Sequence, residues 1–232
     1  MIISHRHRFI FIKTMKTAGT SVEMALSKHC GPDDVITAIS DADEKDRERL
    51  GYPGAQNELI PQTNKDRSLG RQRRFFNHMA ATAVRANVPR DVWNDYFKFT
   101  VERNPFDKAV SHYFWATKNR SVRRRPSVDR FIQDYASEKL SNWPLYTDDD
   151  RIILDDVIRY EELEEGLRAV SERLGIAIEV DGLDAKGSIR PADTHYSNRL
   201  LDGGRRRVEI VCARELAYFG YRWESDDQGF TK

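Results

Sequence analysis

Three groups of residues in this 232-residue chain have the types and spacing to do chemistry on an anion. The first is KTAGTS, residues 16–21, inside RFIFIKTMKTAGTSVEMAL at residues 8–26. Ala18 and Gly19 let the backbone come close to a ligand, Thr17, Thr20 and Ser21 offer hydroxyl donors, and Lys16 adds a formal charge. The second is Arg103, with Ser111 eight residues on, inside FTVERNPFDKAVSHY at 99–113. An arginine presents a planar fork of donors that matches phosphate oxygens. The third is His78 in FFNHMAATAV, 75–84, an imidazole that titrates near neutral pH and so suits a general base. As bare residues, the same three fit an ordinary strand–helix turn, a surface ion pair and a helix-terminal histidine.

The first group departs from the nucleotide-triphosphatase loop G-x-x-x-x-G-K-[ST]. Aligning Gly19 and Ser21 puts Thr14 at the first glycine and Thr20 where the lysine belongs. The lysine lies inside the loop instead, at Lys16. RIILDD could pass for an acidic strand that holds magnesium, although many buried strands end in Asp. ATP–magnesium chemistry is therefore disfavoured, and no metal is expected. No Cys/His cluster has zinc-ligand spacing.

The elements that must position these residues follow from pattern. RFIFI, 8–12, predicts a buried strand, and the segment MIISHRHRFIFIK around it reads as the first strand. A helix is expected over 20–29, with Val22, Ala25 and Leu26 on one face and Gly31-Pro32 as its stop. A loop between strand and helix exposes backbone N–H groups at the positive end of the helix dipole. Residues 40–75 are charged and aperiodic, and predict a long surface excursion, helical near 42–50. A short helix is expected over 78–88. YFKFTV, 96–101, is the second strong strand. The helix after it has Asn104 as N-cap and Pro105 at its first position. KNRSVRRRP, 118–126, is a basic loop, and IILDDVIRY, 152–160, contains a third strand. A helix over 161–174 ends at Gly175, and a last helix is expected over 203–220. Strands alternating with helices predict one α/β domain over 1–232, a P-loop-like three-layer fold with a central, mainly parallel sheet flanked by helices.

Composition bounds the rest. The formal net charge is +1, so a global pull on nucleic acid is not supported. No apolar window is long enough for a membrane span, and the first residues lack a signal-peptide cleavage site; a cytoplasmic location is expected. Cys30 and Cys212 read as buried free thiols, with a disulfide between them left open.

Taken together, strand–KTAGTS–helix followed by strand–RNP–helix, with a serine eight after the arginine, resembles the PAPS-dependent sulfotransferase family. VIRYEELEEGLRAVSERLGI, 157–176, is similar to that family's strand–RYEEL–helix segment. HYSNRLLDGGRRRVEIVCARELAYFGYRW, 195–223, is similar to the ending of its carbohydrate, heparan 2-O-sulfotransferase-like branch. The resemblance runs from about residue 8 to 223, with 40–75 excepted.

The resemblance implies that Lys16, Thr17, Ala18, Gly19, Thr20 and Ser21 hold the 5′-phosphosulfate of PAPS. It implies that Arg103 and Ser111 hold the 3′-phosphate, that Tyr160 lies near the nucleotide, and that Lys186, Ser188 and Arg190 close over the 3′-phosphate. It makes His78 the base for an acceptor hydroxyl of a carbohydrate or glycoconjugate, with Glu102 and His112 as fallback candidates. Sulfuryl transfer needs no redox cofactor and no obligatory metal, and its product is PAP. Glu102 is a departure, because the family places an apolar residue before the arginine. Many relatives in the carbohydrate branch are membrane-anchored, whereas this chain resembles a soluble bacterial-type member. A kinase on a related scaffold and a non-catalytic PAP-binding domain are the rival readings.

Overall fold

In the computed structural model the described residues are 1–134, 137–180 and 195–224. In chain order the elements are β1 Ile2–Ser4, β2 Phe9–Phe11, α1 Gly19–Ser27, β3 Val35–Ile36, α2 Asp41–Arg49, α3 Asn64–Ser68, α4 Ala81–Arg85, α5 Arg90–Asp95 and β4 Phe97–Glu102. They continue with α6 Pro105–Thr117, α7 Val128–Asp134, α8 Ser137–Leu140, α9 Trp143–Tyr146, β5 Thr147–Asp148, β6 Arg151–Ile152, β7 Asp156–Arg159, α10 Leu163–Leu174, α11 Asp202–Val211 and α12 Ala213–Phe219. The chain divides into two compact units, Met1–Glu102 with Pro144–Ala185, and Arg103–Trp143 with Lys186–Lys232.

The first unit is built on a five-stranded sheet of order β3-β1-β2-β4-β7. β2 pairs parallel with β4, and β4 parallel with β7, while β1 runs antiparallel to both β2 and β3. Four of the five strands therefore point the same way, as expected for a mainly parallel sheet. Side chains alternate between its faces. Phe9, Phe11, Phe97, Phe99 and Val101 pack on one face against Val22, Ala25 and Leu26 of α1 and Leu167 and Val170 of α10. Ile3, Ile10 and Ile12 pack on the other against Ala81 and Val84 of α4 and Val92 and Trp93 of α5. This is the three-layer arrangement that the alternation of strands and helices implied. The approach of α10 to the sheet needs Gly166, where a Cβ would lie 2.4 Å from the Ile158 side chain.

Some boundaries differ from expectation. The first strand is a hairpin, β1 and β2, with Ile2 opposite Phe11 and Arg8 in the turn at φ 55°. The helix expected over 78–88 is shorter, α4 at Ala81–Arg85 with Ala86 as its C-cap, and a separate helix, α5, follows after Pro89. The 40–75 segment is helical at α2 as expected, but it is not all surface. Arg47 is fully buried, and Ile60 and Phe75 join the core.

The second unit has its own core, made of Phe106, Ala109, Val110, Tyr113 and Phe114 of α6 with Val128 and Ile132 of α7 and Val208 of α11. Asn104 caps α6 by accepting from the Phe106 N–H at 3.0 Å, with Pro105 at the first position. The expected last helix is two helices broken at Cys212, which leaves the helical region at φ −106° and ψ 24° while its thiol donates to the Leu140 carbonyl at 3.6 Å. Cys30 and Cys212 are both free, buried thiols. Burial pushes the Cys30 thiol up to about 12. No described helix is long and apolar enough to cross a membrane.

Candidate active site

The loop from β2 to α1 carries the first predicted group. Seven non-glycine residues among those described have positive φ; two lie in this loop, Lys16 at 61° and Ala18 at 58°, and a third is His78 at 61°. Side chains other than glycine seldom adopt this conformation, and such strain concentrates where function requires it. The cap of α1, Ala18, is left-handed and has no side-chain acceptor to give; α4, capped by Ala80, and α5, α10, α11 and α12 also start without a side-chain cap, whereas α2, α3 and α6 are capped by side-chain oxygens of Ser40, Thr63 and Asn104. A helix start without a side-chain acceptor suits an external anion.

Hydroxyls brace the loop from within the first unit. Thr14 donates to the Val101 carbonyl of β4, and its oxygen lies 2.8 Å from that of Thr17. Thr100 donates to the Ile12 carbonyl at 2.6 Å. Thr17 is fully buried, and its hydroxyl is engaged within the loop by Thr14. Gly19 has a related role. A Cβ there would stand 2.9 Å from Cγ of Lys13 and 3.3 Å from the Thr14 carbonyl, so the glycine is required by packing inside the loop. Lys16, Ala18 and Ser21 are half-buried, and Thr20 is 8% exposed.

His78 belongs to the same unit and meets this loop. Its Nδ1 lies 3.1 Å from the Lys13 carbonyl. A carbonyl only accepts, so Nδ1 carries the proton and Nε2 keeps the lone pair that a base needs. Burial, and then the Lys13 ammonium, push His78 from the ordinary 6.5 down to about 4. It is therefore neutral at physiological pH, and, in contrast to the near-neutral titration expected from sequence, its burial makes it a weaker base than a free imidazole.

This shift has a stability consequence. Between about 4 and 6.5 the unfolded chain binds a proton at this ring and the folded chain does not. Stability then rises with pH across that window and is flat above it, by roughly 3 kcal/mol. His78→Asn, whose side chain tolerates positive φ, should flatten this part of the profile. Urea unfolding of both chains at pH 5 and 7 checks it; equal pH dependence would refute the burial of a neutral ring.

The fallback bases are placed differently. Glu102 is fully buried on β4 and accepts from the Tyr146 hydroxyl at 3.0 Å. That partner answers the departure noted in sequence, since the carboxylate is engaged by a tyrosine inside its own unit. His112 is 4% exposed within α6.

Arg103 and Ser111 lie in the second unit. Nε of Arg103 donates to Asp107 at 2.6 Å, and a second guanidinium nitrogen pairs with the same oxygen. Asp107 and Ser111 are one helical turn apart on α6, so Arg103, Asp107 and Ser111 rise along one side of its start. Asp107, the partner of Arg103, was not singled out in the sequence reading; its i, i+4 spacing from Arg103 was the available signal. Tyr160 is half-buried against the sheet core of the first unit. Lys186, Ser188 and Arg190 lie outside the described residues.

Comparison with known proteins adds to this geometry. The chain is 32% identical to an uncharacterized protein of Archaeoglobus fulgidus over 106 residues, which cover 44% of this chain and 88% of that one. A crystal structure of mouse sulfotransferase SULT7A1 complexed with PAP is similar at a TM-score of 0.44 and 16% identity, covering 97% of this chain and 88% of that one. The family model described as "Sulfotransferase family" matches residues 1–206, which include the strained loop, His78, Arg103 and Ser111, and the chain belongs to that family.

Proposed function

We propose that the chain moves a sulfuryl group from PAPS to an acceptor hydroxyl of a carbohydrate or glycoconjugate, with His78 as the base. The observation that carries this reading is the β2–α1 loop, where two left-handed residues open a helix that lacks a side-chain cap, with the neutral His78 ring on the carbonyl of Lys13. PAPS would supply the sulfuryl group and its PAP leaving group. Lys16, Thr20, Ser21 and the amides of the loop would bind the phosphosulfate oxygens, and Lys16 would offset charge on the bridging oxygen as the S–O bond breaks. Nε2 of His78 would take the proton from the acceptor hydroxyl as its oxygen bonds to sulfur. Arg103, oriented by Asp107, and Ser111 would hold the 3′-phosphate. The acceptor class rests on the likeness of 157–176 and 195–223 to the carbohydrate branch.

The test is transfer from radiolabelled PAPS to a panel of hydroxylated acceptors, with mass spectrometry of the product. A labelled sugar supports the proposal, and label on no acceptor overturns it. Arg103→Ala should weaken PAP binding by about 1.5–3 kcal/mol, the loss of a charged hydrogen bond. Calorimetry reads this directly, and unchanged affinity would remove Arg103 from the 3′-phosphate site.

A further inference from the structure

We infer that Lys13 is a positioning residue for the reaction proposed above, on which the inference rests: its side chain fixes the β2–α1 loop while its carbonyl holds the ring of His78. Three parts of this one residue reach three parts of the site. Its ammonium lies 2.7 Å from Oε2 of Glu23, on α1, and both side chains are almost wholly buried. Its Cγ occupies the space left by the missing Cβ of Gly19, at the first turn of α1. Its carbonyl accepts from Nδ1 of His78 at 3.1 Å and fixes which ring nitrogen is the base.

A surface lysine would not be spent this way. Burying an ammonium is costly unless it is paired, and Glu23 is the partner that makes it tolerable. The charges acting on His78 are Lys13 and the amine at Met1, both opposing its protonation, and the Glu23 carboxylate, favouring it. Lys13 therefore acts on the ring twice, through the carbonyl that orients it and through the charge that keeps it neutral. Lys13→Met keeps much of the stem and removes the charge.

The experiment is an NMR titration of the His78 ring, assigned by its loss in His78→Asn, alongside kcat against pH. Four chains are compared: wild type, Lys13→Met, Lys13→Arg, and Lys13→Met with Glu23→Gln. In Lys13→Met the Glu23 carboxylate keeps the Met1 amine and Arg47 as partners, and the double variant shows whether Lys13 acts apart from Glu23; urea unfolding at pH 7 checks that each chain is folded. The expected result is a His78 midpoint raised in Lys13→Met and in the double variant, and returned toward wild type in Lys13→Arg. With it, kcat should fall roughly 10–100-fold as the loop and ring lose alignment, and its acid limb should move to higher pH. A folded double variant with an unmoved midpoint, or with wild-type kcat, overturns the role of Lys13. The midpoint is read without turnover, so a wild-type chain that transfers sulfate to no acceptor overturns the proposed function alone.

Discussion

Lys16→Ala should lower kcat for sulfate transfer by about 10²–10³-fold while PAP still binds. The size follows from where charge develops. As the S–O bond to the nucleotide breaks, negative charge grows on the bridging oxygen, and a fixed cation in a partly dehydrated loop stabilises that state more than the ground state. Lys16 is the cation inside the loop, held at φ 61°. The substitution tests charge rather than backbone, because an alanine already sits at positive φ two residues on, at Ala18. Steady-state rates with PAPS and calorimetry with PAP separate the two effects. Lost PAP binding with unchanged kcat at saturation would make Lys16 a binding residue only.

Glu23→Ala should destabilise the chain by about 3–5 kcal/mol. Glu23 is fully buried on α1, 2.7 Å from Lys13, 2.8 Å from the amine at Met1 and 3.8 Å from Arg47. Burial alone would raise its carboxyl, but the Met1 amine and Lys13 outweigh this and hold it below the usual carboxylate range. A depressed carboxylate contributes stability above its unfolded pKa and loses it as pH falls through the folded value. Removing it leaves Lys13 and Arg47 as buried cations deprived of this shared carboxylate. Urea unfolding at pH 7 reads the cost. A variant as stable as wild type would show that the network does not hold the loop.

Much of this site was legible in sequence because its parts are local. The strand–KTAGTS–helix order, Asn104 as N-cap, Pro105 at the first helical position and Gly175 as a stop depend on a few neighbouring residues, and the structure places each as expected. The supporting contacts were hidden for the opposite reason. Lys13, Glu23 and Arg47 look like solvated charges by type, and only the fold brings residues from β2–α1 and the 40–75 excursion into one buried cluster. Thr14 finds its carbonyl 87 residues away on β4. The partner of His78 is a backbone carbonyl, which no residue type announces. The β1–β2 hairpin was missed because two three-residue strands give too little alternation to separate them.

The most direct test of the account is calorimetric titration of the wild-type chain with PAP in a metal chelator, beside a titration with ATP and magnesium. The lysine inside the loop is assigned to a phosphosulfate and, as a separate assignment, Arg103 to a 3′-phosphate, with no metal required. The account predicts one-to-one binding of PAP in the chelator and no binding of ATP–magnesium. Binding of ATP–magnesium without binding of PAP would contradict it.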